Sequence, residues 1–293
     1  MKGLTYMELL KDIILDTSLD CLKMLPFLFV AFLVIEALEH YSGNWAKKIL
    51  LKVGMAGPFV GALAGCIPQC GFSVMAANLY AGGIISLGTL LSVFIATSDE
   101  AILIIMSNPE EMNQVGILLL VKIILAVFVG YFTDIFLKEK IETKKDNEEL
   151  CRHCGCHEEK GGIILPAWRH TVKIFVYLFI FTGILNLCIE ILGMARLSEL
   201  LLGDTIFQPV IAAMIGFIPN CAGSVILTQL YLNSAISFSS VIAGLCSGTG
   251  VGLVVLCKVN HHKIENAQIA GLLFLFAITA GITLGYLGNF ISF

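Results

Sequence analysis

The sequence predicts an all-α integral membrane protein of about 10 transmembrane helices, built as two inverted five-helix repeats with helices broken at the membrane midplane. Three observations predict it. Of its 293 residues, 57% are hydrophobic and 14% charged, with a mean hydropathy of +0.90, whereas a soluble domain has about 25% charged residues. Apolar tracts at 24–38, 116–137, 173–192 and 267–290 approach the roughly 20 residues that a helix needs to cross the hydrocarbon. Finally, GCIPQCGFSVMAANLY at Gly65–Tyr80 returns without a gap as GFIPNCAGSVILTQLY at Gly216–Tyr231, an offset of 151.

In chain order, residues 1–18 place Tyr6, Leu9, Leu10, Ile13 and Ile14 at helical spacing among charges. They read as an amphipathic helix in the membrane interface. The first span follows and is closed by Glu36 and Glu39, without the small-residue cleavage site of a signal peptide. Lys47, Lys48 and Lys52 come next, seven bases from Lys138 to Arg169 fill the central polar segment, and Lys258 and Lys263 flank the last span. By the positive-inside rule these three loops face the cytoplasm, and the acidic connections 107–114 and 193–205 face outside.

That assignment requires an odd number of crossings in each half, so the two copies are inverted. The stretch 53–106 admits three crossings, or a re-entrant pair of half-helices plus one crossing. Three crossings give five helices per half. The domains expected are 1–137, the amphipathic helix and first repeat; 138–165, a cytoplasmic loop; and 166–293, the second repeat. Inverted repeats with broken helices place a shared site near the midplane, exposed alternately as one half rocks against the other.

The candidate substrate site follows from those breaks. Non-helical backbone at membrane depth is tolerated only where protein or a water-filled cavity lines it, and Pro68-Gln69-Cys70-Gly71 and Pro219-Asn220-Cys221-Ala222 supply it twice. Gln69 and Asn220 offer amide oxygens, Ser73 and Ser224 hydroxyls, and Cys70 and Cys221 thiols. Asp99 and Glu100 stand between apolar runs, where each carboxylate costs on the order of 2.5–3.5 kcal/mol, so such groups face a cavity or an ion path. Their repeat counterparts are Gly250 and Val251, next to Thr249, so the charge belongs to one half. Packing alone also explains kinks with small residues beside them, but not the same Pro-amide-Cys order in both copies. The pair Glu39 and Glu190 suits interfacial anchoring, and His170 the cytoplasmic mouth of its helix.

The central loop carries CRHCGCH, with Cys151, His153, Cys154, Cys156 and His157 as metal-ligand candidates. Thiolate and imidazole at that density favour zinc and similar thiophilic ions. A flexible reduced loop is the plainer alternative for its lysine- and glutamate-rich surroundings.

The segments IPQCGFS, ATSDE and IPNCAGS, together with the opening LDTSLDCLKMLPFLFVAFLVIE and the second-half RHTVKIF, resemble the family of ten-helix heavy-metal exporters, relatives of arsenic permeases often labelled manganese transporters. The resemblance runs from about Asp16 to the C-terminus. It implies efflux of a metal or metalloid across the cytoplasmic membrane of a prokaryote by a multi-pass protein.

Residue chemistry keeps three cargoes open. The oxygen-rich set Gln69, Ser73, Asp99, Glu100, Asn220, Ser224 and Thr249 suits manganese or another hard divalent cation. Cys70 and Cys221 suit thiophilic ions, arsenite or organoarsenicals, and half-helix N-termini aimed at the cavity would favour a small anion. As a different class, Cys70 and Cys221 could form and break a disulfide as a membrane electron carrier. The divalent cation is preferred because the two carboxylates supply negative charge, with protons as the coupling ion. No nucleotide-binding GxxxxGK[ST] is present. The expected partners are thus the bilayer, a metal ion or small inorganic substrate, and protons, with no nucleic acid. No enzymatic activity is expected, and no cofactor beyond a divalent ion as substrate or in the central loop.

Overall fold

A computed structural model describes residues 56–67, 71–97, 99–106, 112–137, 164–192 and 207–290, and most of 14–33. Among the described residues every regular element is helical. In chain order they are α1 (helical residues within 14–33), α2 (Ala56–Gly65), α3 (Gly71–Ala81), α4 (Leu87–Ala96), α5 (Asp99–Met106), α6 (Met112–Phe136), α7 (Ile164–Leu192), α8 (Gln208–Gly216), α9 (Cys221–Leu232), α10 (Phe238–Ser247), α11 (Gly252–Val259) and α12 (Lys263–Phe290). The second six repeat the first: adding 151 to α4 gives α10 residue for residue, and adding it to Met112 gives Lys263, the start of α12.

The recurrence extends to the turns. Before α4 the chain turns through Gly83 at φ +70°, and before α10 through Ser234 at φ +56°, the positions related by the offset. Both turns carry the same backbone bonds: Gly83 N to Tyr80 O and Ile84 N to Leu79 O in one, Ser234 N to Tyr231 O and Ala235 N to Leu230 O in the other. Ser86 and Ser237 then cap α4 and α10 by accepting from Thr89 N at 3.1 Å and Ser240 N at 3.3 Å, which satisfies donors that a helix N-terminus leaves open.

Each cap is reinforced from a neighbouring helix. Asp134 of α6 accepts from Ser86 Oγ and from Gly88 N, both at 2.8 Å, placing a carboxylate at the positive end of α4. Gln208 of α8 does the same for α10, its Oε1 accepting from Ser237 N at 3.2 Å and Ser240 Oγ at 2.8 Å.

Direction follows from the contacts. Ser86 meets Asp134, Ser92 Oγ donates to Ala126 O, and Thr97 O accepts from Lys122, so α4 runs antiparallel to α6. The turn 82–86 therefore sits at the C-terminal end of α6. The equivalent turn 233–237 shares a cavity with Gln114, at the N-terminal end of α6. Those ends are about 36 Å apart for a 25-residue helix.

α2 lies along α4, with Gly57 and Gly61 against Thr89 and Gly65 against Val93 and Ala96, and α8 lies along α10. At Gly216 the two backbones meet so closely that a Cβ would collide with the Gly244 carbonyl oxygen. Here only glycine permits the approach. α3 packs on α11 and α9 on α5, so each half lends its second hairpin arm to the other half. The most apolar 18-residue window of 238–259 is 89% buried and that of α6 33%, which makes α10 and α11 the interior and leaves α6, α7 and α12 to face lipid. α1 runs antiparallel to α7, with Phe29 edge-on to Trp168, Phe32 stacked on His170, and Thr17 near Gly183.

Among the described residues of 53–106, α2 and α3 are seen over 10 and 11 residues, about 15 Å each against the roughly 30 Å hydrocarbon. α2 runs along α4, and α3 turns through 82–86 into α4, an arrangement that favours the re-entrant pair plus one crossing. Residues 1–13 of the expected amphipathic helix, and Glu39, fall outside the described residues.

Candidate functional site

Two half-helices end at one point in the interior. α4 starts at the Asp134 end of α6 and stops at Thr97; α10 starts at the Gln114 end and stops at Gly248. Lys122, ten residues into α6 and 0% exposed, lies between them. Its Nζ donates to Thr97 O and, at 3.0 Å, to Leu245 O.

The bonding has a clear physical cause. The last carbonyls of a helix have no partner within it, and each C-terminus carries about half a negative charge. Two such ends offset about one ammonium. An unpaired charge at this depth would cost several kcal/mol. The repeat counterpart of Lys122 is Leu273, also fully buried, so this cation belongs to the first half, as Asp99 and Glu100 do. Reading 116–137 as an apolar span passes over Lys122, although a lone cation within GILLLVKIILAVF is the very signal that an intramembrane charge gives.

Beside this junction lies a cavity of about 10 Å³, the space of one water, lined by Thr97, Gly216, Asn220, Ser224, Gly248 and Gly250 among others. Asn220 and Ser224 of the expected site therefore do line one cavity. Asn220 also caps α9, its Oδ1 accepting from Ala222 N at 3.3 Å. Thr249 is 3% exposed in the break between α10 and α11, with Oγ1 at 3.4 Å from Gly250 O. Ser73 is fully buried against the start of α11, where a Cβ on Gly252 would come within 2.8 Å of its own Cβ. Among the described residues, the second hairpin thus lines the cavity and Ser73 of the first packs against α11.

Asp99 and Glu100 open α5 just after Thr97, whose carbonyl Lys122 holds. Their backbone is beside the junction; their side chains are outside the described residues, as are Gln69, Cys70 and the Cys221 side chain. The loop ligands Cys151, His153, Cys154, Cys156 and His157 also fall outside them. Among the described residues no group of three or more His, Cys, Asp or Glu gathers.

A family model described as "Putative, 10TM heavy-metal exporter" matches residues 10–191 and 171–292, which together leave only the chain ends uncovered. No curated protein and no solved structure matches the chain.

Proposed function

The chain belongs to this 10TM heavy-metal exporter family, and from that premise we propose that it is a secondary active exporter of a divalent heavy metal such as manganese. Protons drive it, and two inverted repeats, 1–137 and 166–293, expose a midplane site alternately to the two sides. The observation that carries the reading is the meeting of α4 and α10, C-terminus to C-terminus, at buried Lys122 beside a polar cavity. Soluble cores do not need such an arrangement; transport sites at membrane depth use it.

Inversion is supported by the equivalent turns 82–86 and 233–237 standing at opposite ends of α6, and by the antiparallel pairing of α1 with α7. The hairpins α2–α3 and α8–α9 are then re-entrant, bringing Gln69, Cys70 and Ser73 from one side and Asn220, Cys221 and Ser224 from the other. With one of the two carboxyls protonated, Asp99, Glu100 and Lys122 sum to zero (−1 + 1 = 0); a divalent cation that displaces that proton then meets two carboxylates, which couples metal binding to proton release. Thr249 completes the oxygen set, and the CRHCGCH loop gathers cytoplasmic metal without forming the transport site.

A small anion such as arsenite is a second reading, favoured by one observation: Asn220 at the N-terminus of α9 lines the cavity, and Lys122 bonds the carbonyls of Thr97 and Leu245, two other lining residues. Flux into and out of proteoliposomes, screened over divalent metals, arsenite and imposed pH gradients, separates the two. Metal flux driven by an opposing proton gradient is expected; arsenite flux with no response to metals would replace the cation by the anion.

A further inference from the structure

The meeting of two helix ends offers a place for a cation, and Lys122 fills it from the side. Its Nζ donates to Thr97 O, at the C-cap of α4, and at 3.0 Å to Leu245 O in the last turn of α10. Carbonyl oxygens at half-helix C-termini are the groups that coordinate cations in carriers with broken helices. Both ends are held still. Thr97 donates its N–H and its Oγ1 to Val93 O, while the neighbouring Gly244 O accepts from Gly248 N and from Ser247 Oγ.

The same two residues line the cavity of about 10 Å³ with Asn220 and Ser224. An ion in this water-sized space therefore borders the groups that the ammonium holds. Backbone, amide and hydroxyl oxygens are hard ligands, suited to Mn²⁺ and to alkali cations. The ammonium itself is a compact charge on a flexible four-carbon stem, able to let go where a planar guanidinium fork would stay. It comes from one half, since Leu273 stands at the equivalent buried position. A second cation on these carbonyls is repelled by the ammonium, so the two occupy the junction in turn.

We propose that Lys122 is a tethered occupant of a cation site, and that the transported cation reaches Thr97 O and Leu245 O by displacing its ammonium. This rests on the cation exporter proposed above. The site then holds a cation throughout the cycle, cargo when loaded and Lys122 when unloaded. Two buried helix ends are never left facing each other bare, a state whose cost would oppose the return of an unloaded carrier.

Mn²⁺ binding to the detergent-purified protein tests the displacement. It is read from the free-ion electron paramagnetic resonance signal in a background of Cys151→Ser, Cys154→Ser and Cys156→Ser, which removes the loop thiols. Lys122→Met should bind Mn²⁺ about tenfold more tightly than this background, through relief of one like-charge contact. Lys122→Arg, whose fork is harder to displace, should bind about tenfold more weakly. Weaker or unchanged binding by Lys122→Met, or binding by Lys122→Arg equal to its background, overturns the tethered cation. Thermal scans compare sodium and potassium chloride with the chloride of the bulky N-methylglucamine at one ionic strength; the small ions should raise the midpoint of Lys122→Met and leave the background unmoved. Should Lys122→Met fold in none of these salts, Lys122→Arg decides alone. The two ideas fail apart. No Mn²⁺ binding by any variant, with a sodium or potassium response in Lys122→Met, ends the divalent exporter and leaves the cation site. Mn²⁺ export from proteoliposomes with one Mn²⁺ affinity across all variants ends the tethered cation and leaves the exporter.

Discussion

Lys122 donates to carbonyls from both halves of the chain, Thr97 in the first and Leu245 in the second, at a depth where a bare ammonium would be prohibitive. Its removal therefore strips partners from two helix ends at once. Lys122→Met should cost about 3 kcal/mol, read as a lowered thermal midpoint in detergent, because the orphaned carbonyls stay buried. Lys122→Arg keeps the charge and should cost less, with the remainder coming from fitting a larger planar head into a fully buried site. Equal stability of the Met variant and wild type would show that the junction does not need the cation. At this scale the sequence was readable but unevenly read. Asn220 and Ser224 stood out because the offset pairs them with Gln69 and Ser73, and both line the cavity. Lys122 stood in plain view, yet an apolar tract is scored by its average, and a single cation hardly moves the average.

At the scale of elements, the offset of 151 is legible in sequence and recurs in the caps at Ser86 and Ser237 and in the two matching turns. What the sequence left open was the path of 53–106, because apolarity reports burial in lipid and not direction. A run of that length with a proline break serves equally as two crossings or as one hairpin. Contacts between α2 and α4 and between α3 and α11, all remote in sequence, favour the hairpin. The turns also differ in a testable way: Ser234 adopts the left-handed φ of +56° that Gly83 supplies without strain. Ser234→Gly should accordingly raise stability by about 1 kcal/mol, measured by the same thermal midpoint. A loss of stability would mean that the Ser234 side chain makes a contact worth more than the strain.

For the whole molecule, lipid-facing α6, α7 and α12 surround an interior that the α10–α11 path occupies, and among the described residues the buried charge of that interior, Lys122, comes from the first half. Two halves with one shape but different polarity suit the alternation about a single site proposed above, with Lys122 as its described buried charge. The central loop should be separable from it. Replacing Cys151, Cys154 and Cys156 with Ser should weaken apparent metal affinity and leave maximal flux largely intact; complete loss of flux would place the loop in the path. The most direct measurement is metal export from proteoliposomes against pH for wild type and the Asp99→Asn, Glu100→Gln double variant, with protein levels matched. Carboxylates that exchange a proton for the metal make wild-type export pH-dependent, and the double variant should lose most of the flux and that dependence together. Unchanged flux with an unchanged pH profile would make both carboxylates structural and contradict a midplane cation site.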